Sequence, residues 1–554
     1  MSDGMRGPLI VKEKESSPSL VPVVPSLYEN ILFLSDWYTK VAGEAAKGLN
    51  FPFDPAMQTN QTGAFFWIGN PRSLMINEQG CATDCALTNN ATEPVCSPKA
   101  DCATRFEWEV EPNQTYLVKL IGAGSLVYQT VCFEGHKNAT IVASDAKPVT
   151  PFTLPYDTAS KAACIDINLG QRYDVQLVTD AEPGLYWISS RAAFRPGSPA
   201  GYGVLKYKGA ASSSNLPSSP APQPGTNPVP WILDGTINKI VGATNTSQPP
   251  KTPNKRVSVQ ITQPLLQETG QIRWAMSNVV NLMNPSCKDL LALTGDEQWL
   301  AENAVTSASN FDTGNATLPG LAQQEGNGED VVFVNLAIGE ANSSSSSNGI
   351  MPAMSINPVA GTQLVDLMYQ DVVDIVIQNN AANAFGGDYR VPAGANRTAQ
   401  EQHPMHLHGH SFFVLGQGNG TFNTSTIDSD LLNYDNPRRG DTVTVAPGGW
   451  VVVRFVADNP GIWPFHCHIP VHQQMGQLLA FNEAREMVDK LPDNLPKCPD
   501  VCIYNAAPWE DAVKDFFPNG LPAPPPPPPE SSVFEMSSSM VVLSVAFIAV
   551  SLFV

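Results

Sequence analysis

Seven of the chain's eight histidines, and one of its ten cysteines, fall in two short segments. The first reads His403-Pro404-Met405-His406-Leu407-His408-Gly409-His410, the second His466-Cys467-His468-Ile469-Pro470-Val471-His472. Imidazole binds copper, zinc and iron well, and two histidines with a single thiolate form the ligand set of a blue-copper electron-transfer centre. Zinc sites built on cysteine take two or more closely spaced thiolates, and neither segment has such a pair. A solvated histidine-rich loop is the bland alternative, but it gives no reason for a second cluster interrupted by one cysteine. Copper chemistry is the leading reading.

Such ligands need strands to hold them. Side chains alternate faces along a strand, so His466 and His468 are expected on one face and Cys467 on the other; His406 and His408 share a face in the same way. One metal could then sit on Cys467 while its two neighbours serve a second site, a few covalent bonds away. The rest of the chain suits strands: 49 prolines and 41 glycines, with few helix-period stretches, point to an all-β protein of short strands and turns. Residues 257–262 and 451–456 are typical strand candidates. The Ser/Pro-rich run 212–230 reads as a linker between a domain ending near Tyr207 and one opening at Trp231. A length of 554 residues allows two or three domains, each with a full core. The net charge of −20 argues against nucleic acid and anionic membrane surfaces as partners, because phosphate binding needs a basic face.

The two histidine segments together resemble the C-terminal signature of the multicopper oxidases, the family of laccases, ascorbate oxidases and ferroxidases. Shorter stretches extend the resemblance over most of residues 1–490: Asp36-Trp37-Tyr38, Leu74-Met75-Ile76-Asn77, Ala123-Gly124-Ser125, Gly170-Gln171-Arg172-Tyr173-Asp174 and Arg273-Trp274-Ala275-Met276. The resemblance implies tandem cupredoxin-like Greek-key β-sandwiches. It also implies that His403, Cys467 and His472 are type 1 (blue) copper ligands, His406 a type 2 ligand, and His408, His466 and His468 ligands of the paired type 3 coppers. Gln477 falls ten residues after Cys467, where the family carries its axial Met, Leu or Phe; Met475 is the competing candidate. His410 matches a position that is not a ligand, and His136 reads as a structural turn residue.

A complete family member uses eight histidines for its three-copper cluster, half of them from an N-terminal domain, whereas this chain offers four. The resemblance therefore implies a remnant of a first domain at 1–25, a second domain at 26–210, the linker 211–230, a copper-binding domain at 231–490 and a tail at 491–554. Setting Cys467 aside leaves nine cysteines, an odd number. Four of them, between residues 81 and 102, read as a disulfide-stapled loop, with a metal knuckle as the alternative. Ten Asn-x-Ser/Thr sequons point outside the cell, although residues 1–30 carry no signal-peptide pattern. The Pro524-to-Pro529 spacer, the small residues Ser531 and Ser532 and an apolar tail of 15 residues, 540–554, fit a GPI-attachment signal; a transmembrane tail anchor is the alternative.

The function implied by the resemblance is a copper oxidoreductase. It would take single electrons from a small reducing substrate through His472 or His403, with Cys467 leading to His466 and His468, and reduce dioxygen to water. Phenols, ascorbate-like reductants and metal ions are the expected donors. Some family members carry a carboxylate directly after His-Cys-His-Ile; this chain has Pro470. Two other classes compete: a type 1 electron-transfer module, and a cell-surface structural protein without catalysis.

Overall fold

A computed structural model describes residues 6–11, 28–38, 48–50, 68–80, 105–195, 198–210, 216–221, 229–243, 248–263, 271–277, 279–281, 362–379, 401–420, 422 and 431–488, with short strands at 85–86, 95–96, 304–306, 332–335 and 359–360. Two β-sandwiches follow one another along the chain. In the first, one six-stranded sheet runs Ser73–Ile76, Tyr28–Trp37, Thr115–Gly122, Arg172–Val178, Ala139–Ser144 and Lys147–Thr153. Its partner sheet runs Tyr156–Asp157, Ala162–Ile167, Gln129–Glu134, Leu185–Ala192, Gly201–Tyr207 and Phe106–Val110. Phe106–Val110 shows why: Phe106, Trp108 and Val110 are buried while Glu107 and Glu109 are exposed, the period of two that a half-buried strand requires.

Motifs noticed in the sequence become fasteners here. The Asp36 carboxylate accepts the backbone N–H groups of Ser125, Leu126 and Val127 at 2.6, 2.8 and 3.0 Å. Gly124 leaves room for this carboxylate, since a Cβ there would come 3.1 Å from Asp36 Oδ2, tighter than ordinary contact. Asn77 donates its side-chain amide to Ile31 O and accepts the Phe33 N–H, tying the hairpin to its neighbour. Cys132 and Cys164 stand opposite each other in register and form a disulfide. His136, one turn past the strand Gln129–Glu134, is engaged at both nitrogens, by Glu134 O at 2.6 Å and the Tyr207 hydroxyl at 3.0 Å.

The second sandwich pairs a nine-stranded sheet with a six-stranded one. Lys255–Thr262, Val372–Asn379, Gly449–Val456 and Phe412–Asn419 form the centre of the larger sheet. The smaller one orders Ala304–Thr306, Thr362–Leu367, Leu478–Glu483, Gly461–Cys467, His403–Leu407 and Thr442–Val445. Both expected strands are present, lengthened to Lys255–Thr262 and Gly449–Val456. Beyond the linker run, Trp231, Ile232, Ile237 and Ile240 pack into the core of the first sandwich. The two sandwiches are fastened around the strand His403–Leu407. Arg195 pairs with Glu401, Asn168 donates to Gln402 Oε1 and Thr444 Oγ1, and Gln402 donates to Leu126 O. The side chains of the 81–102 cysteine loop, most of the linker and the whole tail from 489 on, where the attachment signal is expected, lie outside the described residues. Among those described, no helix is long and apolar enough to cross a membrane.

Candidate metal centre

Antiparallel pairing of His403–Leu407 with Gly461–Cys467 sets Met405 opposite Cys467 and His406 opposite His466. Opposite residues in a pair share a face, so this register puts His406 with His466 on one side of the sheet and Cys467 on the other. The chain then leaves the strand at His468 and turns through the short helix Pro470–Gln474. Pro470 occupies its first turn, where a missing N–H costs nothing. The helix returns His472 over Cys467, and the strand Leu478–Glu483 closes the hairpin, with Gln477 O accepting the Cys467 N–H.

Three ligand-type atoms converge in this fold. Cys467 Sγ lies 3.7 Å from His403 Nδ1 and 3.6 Å from His472 Nδ1, and the two nitrogens are 3.2 Å apart. The point equidistant from the three is roughly 2.0 Å from each, close to the about 2.0–2.3 Å of a metal bond to imidazole or thiolate. Among the described residues, this is the one group of three or more His, Cys, Asp or Glu whose ligand atoms all lie within 4.8 Å of one another. All three side chains are buried. Burial pushes the His403 imidazole down to about 3, drives His472 well below its usual range and raises the Cys467 thiol. Both rings are therefore neutral donors at neutral pH, and a metal would replace the thiol proton. The buried Gln477 side chain lies against His403, and neither of its amide atoms has a well-formed hydrogen-bond partner among the described residues. Met475 packs in the apolar core. The donor set, two imidazoles and a thiolate with an amide beside them, suits copper.

On the other face, four imidazoles gather. Ring centres are 4.7 Å apart for His406 and His408, 5.2 Å for His408 and His466, 5.5 Å for His406 and His468, and 6.1 Å for His466 and His468. The strands end at Leu407 and Cys467, so His408 and His468 lie one residue beyond regular alternation and still reach the same cluster. His406 Nδ1 donates to Asp441 O at 2.8 Å and His466 Nδ1 to Cys467 O at 2.9 Å, which leaves each Nε2 without a proton in the neutral ring. Nε2 of His408 and of His466 face each other at 3.0 Å. Burial lowers all four imidazoles, His468 to about 4. His410 stands apart, its Nε2 3.0 Å from the buried Glu483 carboxylate.

Three contributors carry no ligand signature in the sequence. The Trp274 ring packs 4.7 Å from both His403 and His472. Asp441 supports His406 through its carbonyl and is itself gripped by Arg172. Burial raises the Asp441 carboxyl, but the Arg172 hydrogen bonds and charge outweigh that and hold it below its usual value.

Family models described as multicopper oxidase match residues 28–210 and 335–487. The L-ascorbate oxidase of Brassica rapa subsp. pekinensis is 32% identical over 484 residues, covering 84% of this chain and 70% of that protein. This chain belongs to the multicopper oxidase family. The L-ascorbate oxidase of Cucumis sativus is 29% identical over 517 residues, covering 92% of this chain and 75% of that one. Among solved structures, Fet3p, described as a multicopper oxidase that functions in iron import, superposes with a TM-score of 0.53 at 18% identity, covering 86% of this chain and 68% of its own. The laccase from Botrytis aclada gives 0.51 at 20% identity, covering 89% and 68%. At those identities the superpositions speak for the fold: this multicopper oxidase is built from tandem cupredoxin-like Greek-key sandwiches, as the sequence implied.

Proposed function

We propose that this family member is a copper-dependent oxidoreductase that takes single electrons from a small reducing substrate and delivers them toward dioxygen. One observation carries the reading: two Nδ1 atoms and one Sγ, all buried, at metal-bond distance from a common point. Copper held by His403, Cys467 and His472, with Gln477 beside it, would supply one-electron redox chemistry, and His406, His408, His466 and His468 would hold part of the copper that reduces dioxygen to water. The chain's own part is to join the two sites covalently, since Cys467 is bonded to both His466 and His468. It also keeps the imidazoles neutral by burial and excludes water from the thiolate side. Ascorbate-like reductants and phenols are the donors suggested by the relatives named L-ascorbate oxidase and laccase. The division into sandwiches at 26–210 and 231–490, with the segment 231–240 packed on the first core, belongs to the same proposal.

Four cluster imidazoles favour a second reading for these residues acting alone, that of an electron-transfer module working through the cysteine-bearing site. Oxygen-electrode measurements separate the two: copper-loaded protein with an ascorbate or phenolic donor is expected to show no copper-dependent uptake unless further histidines are supplied by another polypeptide. Sustained uptake by the purified chain would overturn that expectation. Blue colour on copper loading supports the central assignment; a colourless protein with Cu(II) bound elsewhere would sink it. A glycosylated, lipid-anchored (GPI) cell-surface location completes the proposal, supported by the exposed sequon asparagines Asn113, Asn138 and Asn419.

A further inference from the structure

Among the described residues the first sandwich contributes no ligand to either candidate site, yet one of its turns reaches the four-histidine cluster by two routes. Gly170 adopts φ +80°, and a Cβ on it would stand 3.0 Å from the His468 ring. Arg172, two residues on, grips both carboxylate oxygens of Asp441, Nη1 to Oδ1 and Nη2 to Oδ2, at 2.6 Å each. Asp441 in turn accepts His406 Nδ1–H and the Leu407 N–H on its carbonyl, and Thr442 Oγ1 donates to its Oδ1. Behind the turn, Arg172 Nη1 donates to Gly170 O at 2.7 Å, and the buried Asp145 accepts the Arg172 backbone N–H at 2.9 Å. A planar guanidinium bound to both oxygens of a carboxylate fixes direction as well as distance, which a lysine would not.

We infer that the turn 170–172 is a positioning clamp on the histidine cluster: through Arg172 and Asp441 it fixes the tautomer and plane of His406, and through Gly170 it sets the face of His468. The inference rests on the cluster being a metal site, as proposed above, but its mechanical half does not. It gives the Gly170-Gln171-Arg172 motif a task, and it makes the geometry of the cluster depend on how the two sandwiches are docked. Neither Gly170 nor Arg172 touches the Cys467 side of the sheet in any contact described, so the blue site should not respond.

Histidine-labelled, metal-free full chain provides the first test, since only eight ring signals exist. In the wild type His406 should give one Nδ1–H tautomer with a slowly exchanging proton. Arg172→Gln should show a second tautomer or fast exchange at His406, with His136 unchanged. Copper(II) titration followed by electron paramagnetic resonance is the second test, and affinity at the cluster should fall roughly ten- to a hundredfold, the usual cost of losing a partner behind a ligand. Blue absorbance should stay at its wild-type intensity. Arg172→Lys, which keeps the charge without the fork, should fall between, and Gly170→Ala should disturb His468 rather than His406. If Arg172→Gln does not fold, Arg172→Lys and Asp441→Asn decide. Variants that lose only unfolding stability, with His406 signals intact, would reduce the turn to an ordinary interface and overturn the inference. A wild type that takes no copper at the cluster would instead defeat the functional proposal, while the His406 signals still decide the clamp.

Discussion

The two sandwiches bury the same kinds of polar side chain and treat them in opposite ways. In the first, Cys132 is bonded to Cys164, both nitrogens of His136 are engaged, and the Asp36 carboxylate collects three amides. In the second, Cys467 is a free buried thiol facing two imidazole nitrogens, and the Gln477 amide lacks a well-formed partner among the described residues. Buried polar groups are nearly always satisfied, so a buried thiol beside two imidazoles and an amide without a well-formed partner among the described residues calls for a ligand. One fold thus serves two ends. The named groups of the first sandwich fasten it internally, as the buried Arg454–Asp374 pair does in the second, whereas Cys467, His403 and His472 converge on a point where an ion would bind.

Exchanging the two kinds of cysteine gives the sharpest break in that contrast. Cys467→Ser should abolish the blue colour of copper-loaded protein, because among the described residues no other thiol reaches the two imidazoles. Cys132→Ser with Cys164→Ser should leave the colour intact and lower unfolding stability by about 3 kcal/mol, the order expected for a crosslink closing a loop of this size. Equal loss of colour in both would mean that the sandwiches are not independent in the way described.

Acidity separates the regions next. In the metal-free protein, burial holds the His403 and His468 imidazoles at about 3 and 4, whereas the unfolded chain titrates near 6.5. The unfolded state then binds more protons below pH 6.5, so these groups are neutral to folding above that pH and destabilise the fold increasingly as pH falls toward 4. Asp166 in the first sandwich works the other way: burial raises it to about 6, and its cost, present above pH 6, is relieved on acidification. With six imidazoles lowered in the second sandwich, its sign should dominate. Urea midpoints should drop from pH 7 to pH 5 in metal-free protein and be steadier once copper occupies the histidines. A flat metal-free profile would contradict the burial described.

The finest test concerns Gln477. An amide oxygen donates more strongly than a thioether or hydrocarbon and stabilises Cu(II), so Gln477→Met should raise the reduction potential and Gln477→Leu should raise it further. Electrochemical titration reads this directly, and an unchanged potential in both variants would remove Gln477 from the site.

Ligand-type residues were legible because histidine is scarce here, and seven of the eight histidines lie with one cysteine in two stretches of eight and seven residues. Strand alternation also gave the sidedness of Cys467 correctly, since the register that decides it is local to one hairpin and its neighbour. Asp441, Arg172 and Trp274 were not legible as partners of the site. Acids and arginines are common, and the Arg172–Asp441 contact spans 269 positions that no periodicity links. The packing of Trp231 and Ile232 on the first core was equally hidden, because an apolar stretch after a linker is compatible with either neighbour. Strand ends at Leu407 and Cys467 depend on hydrogen bonds beyond the strand, such as His468 N–H to Pro404 O at 2.6 Å, and these leave no mark in composition.

The pairing of Met405 with Cys467 and His406 with His466 has a consequence for how the chain reaches its native state. Sliding one strand past the other by a single position would invert every side chain relative to its partner, yet would cost little in backbone hydrogen bonding. Only the native alignment brings sulfur and both Nδ1 atoms to a common point. An ion captured there would act as a proofreader, selecting molecules whose sheet has zipped in frame and holding them against slippage.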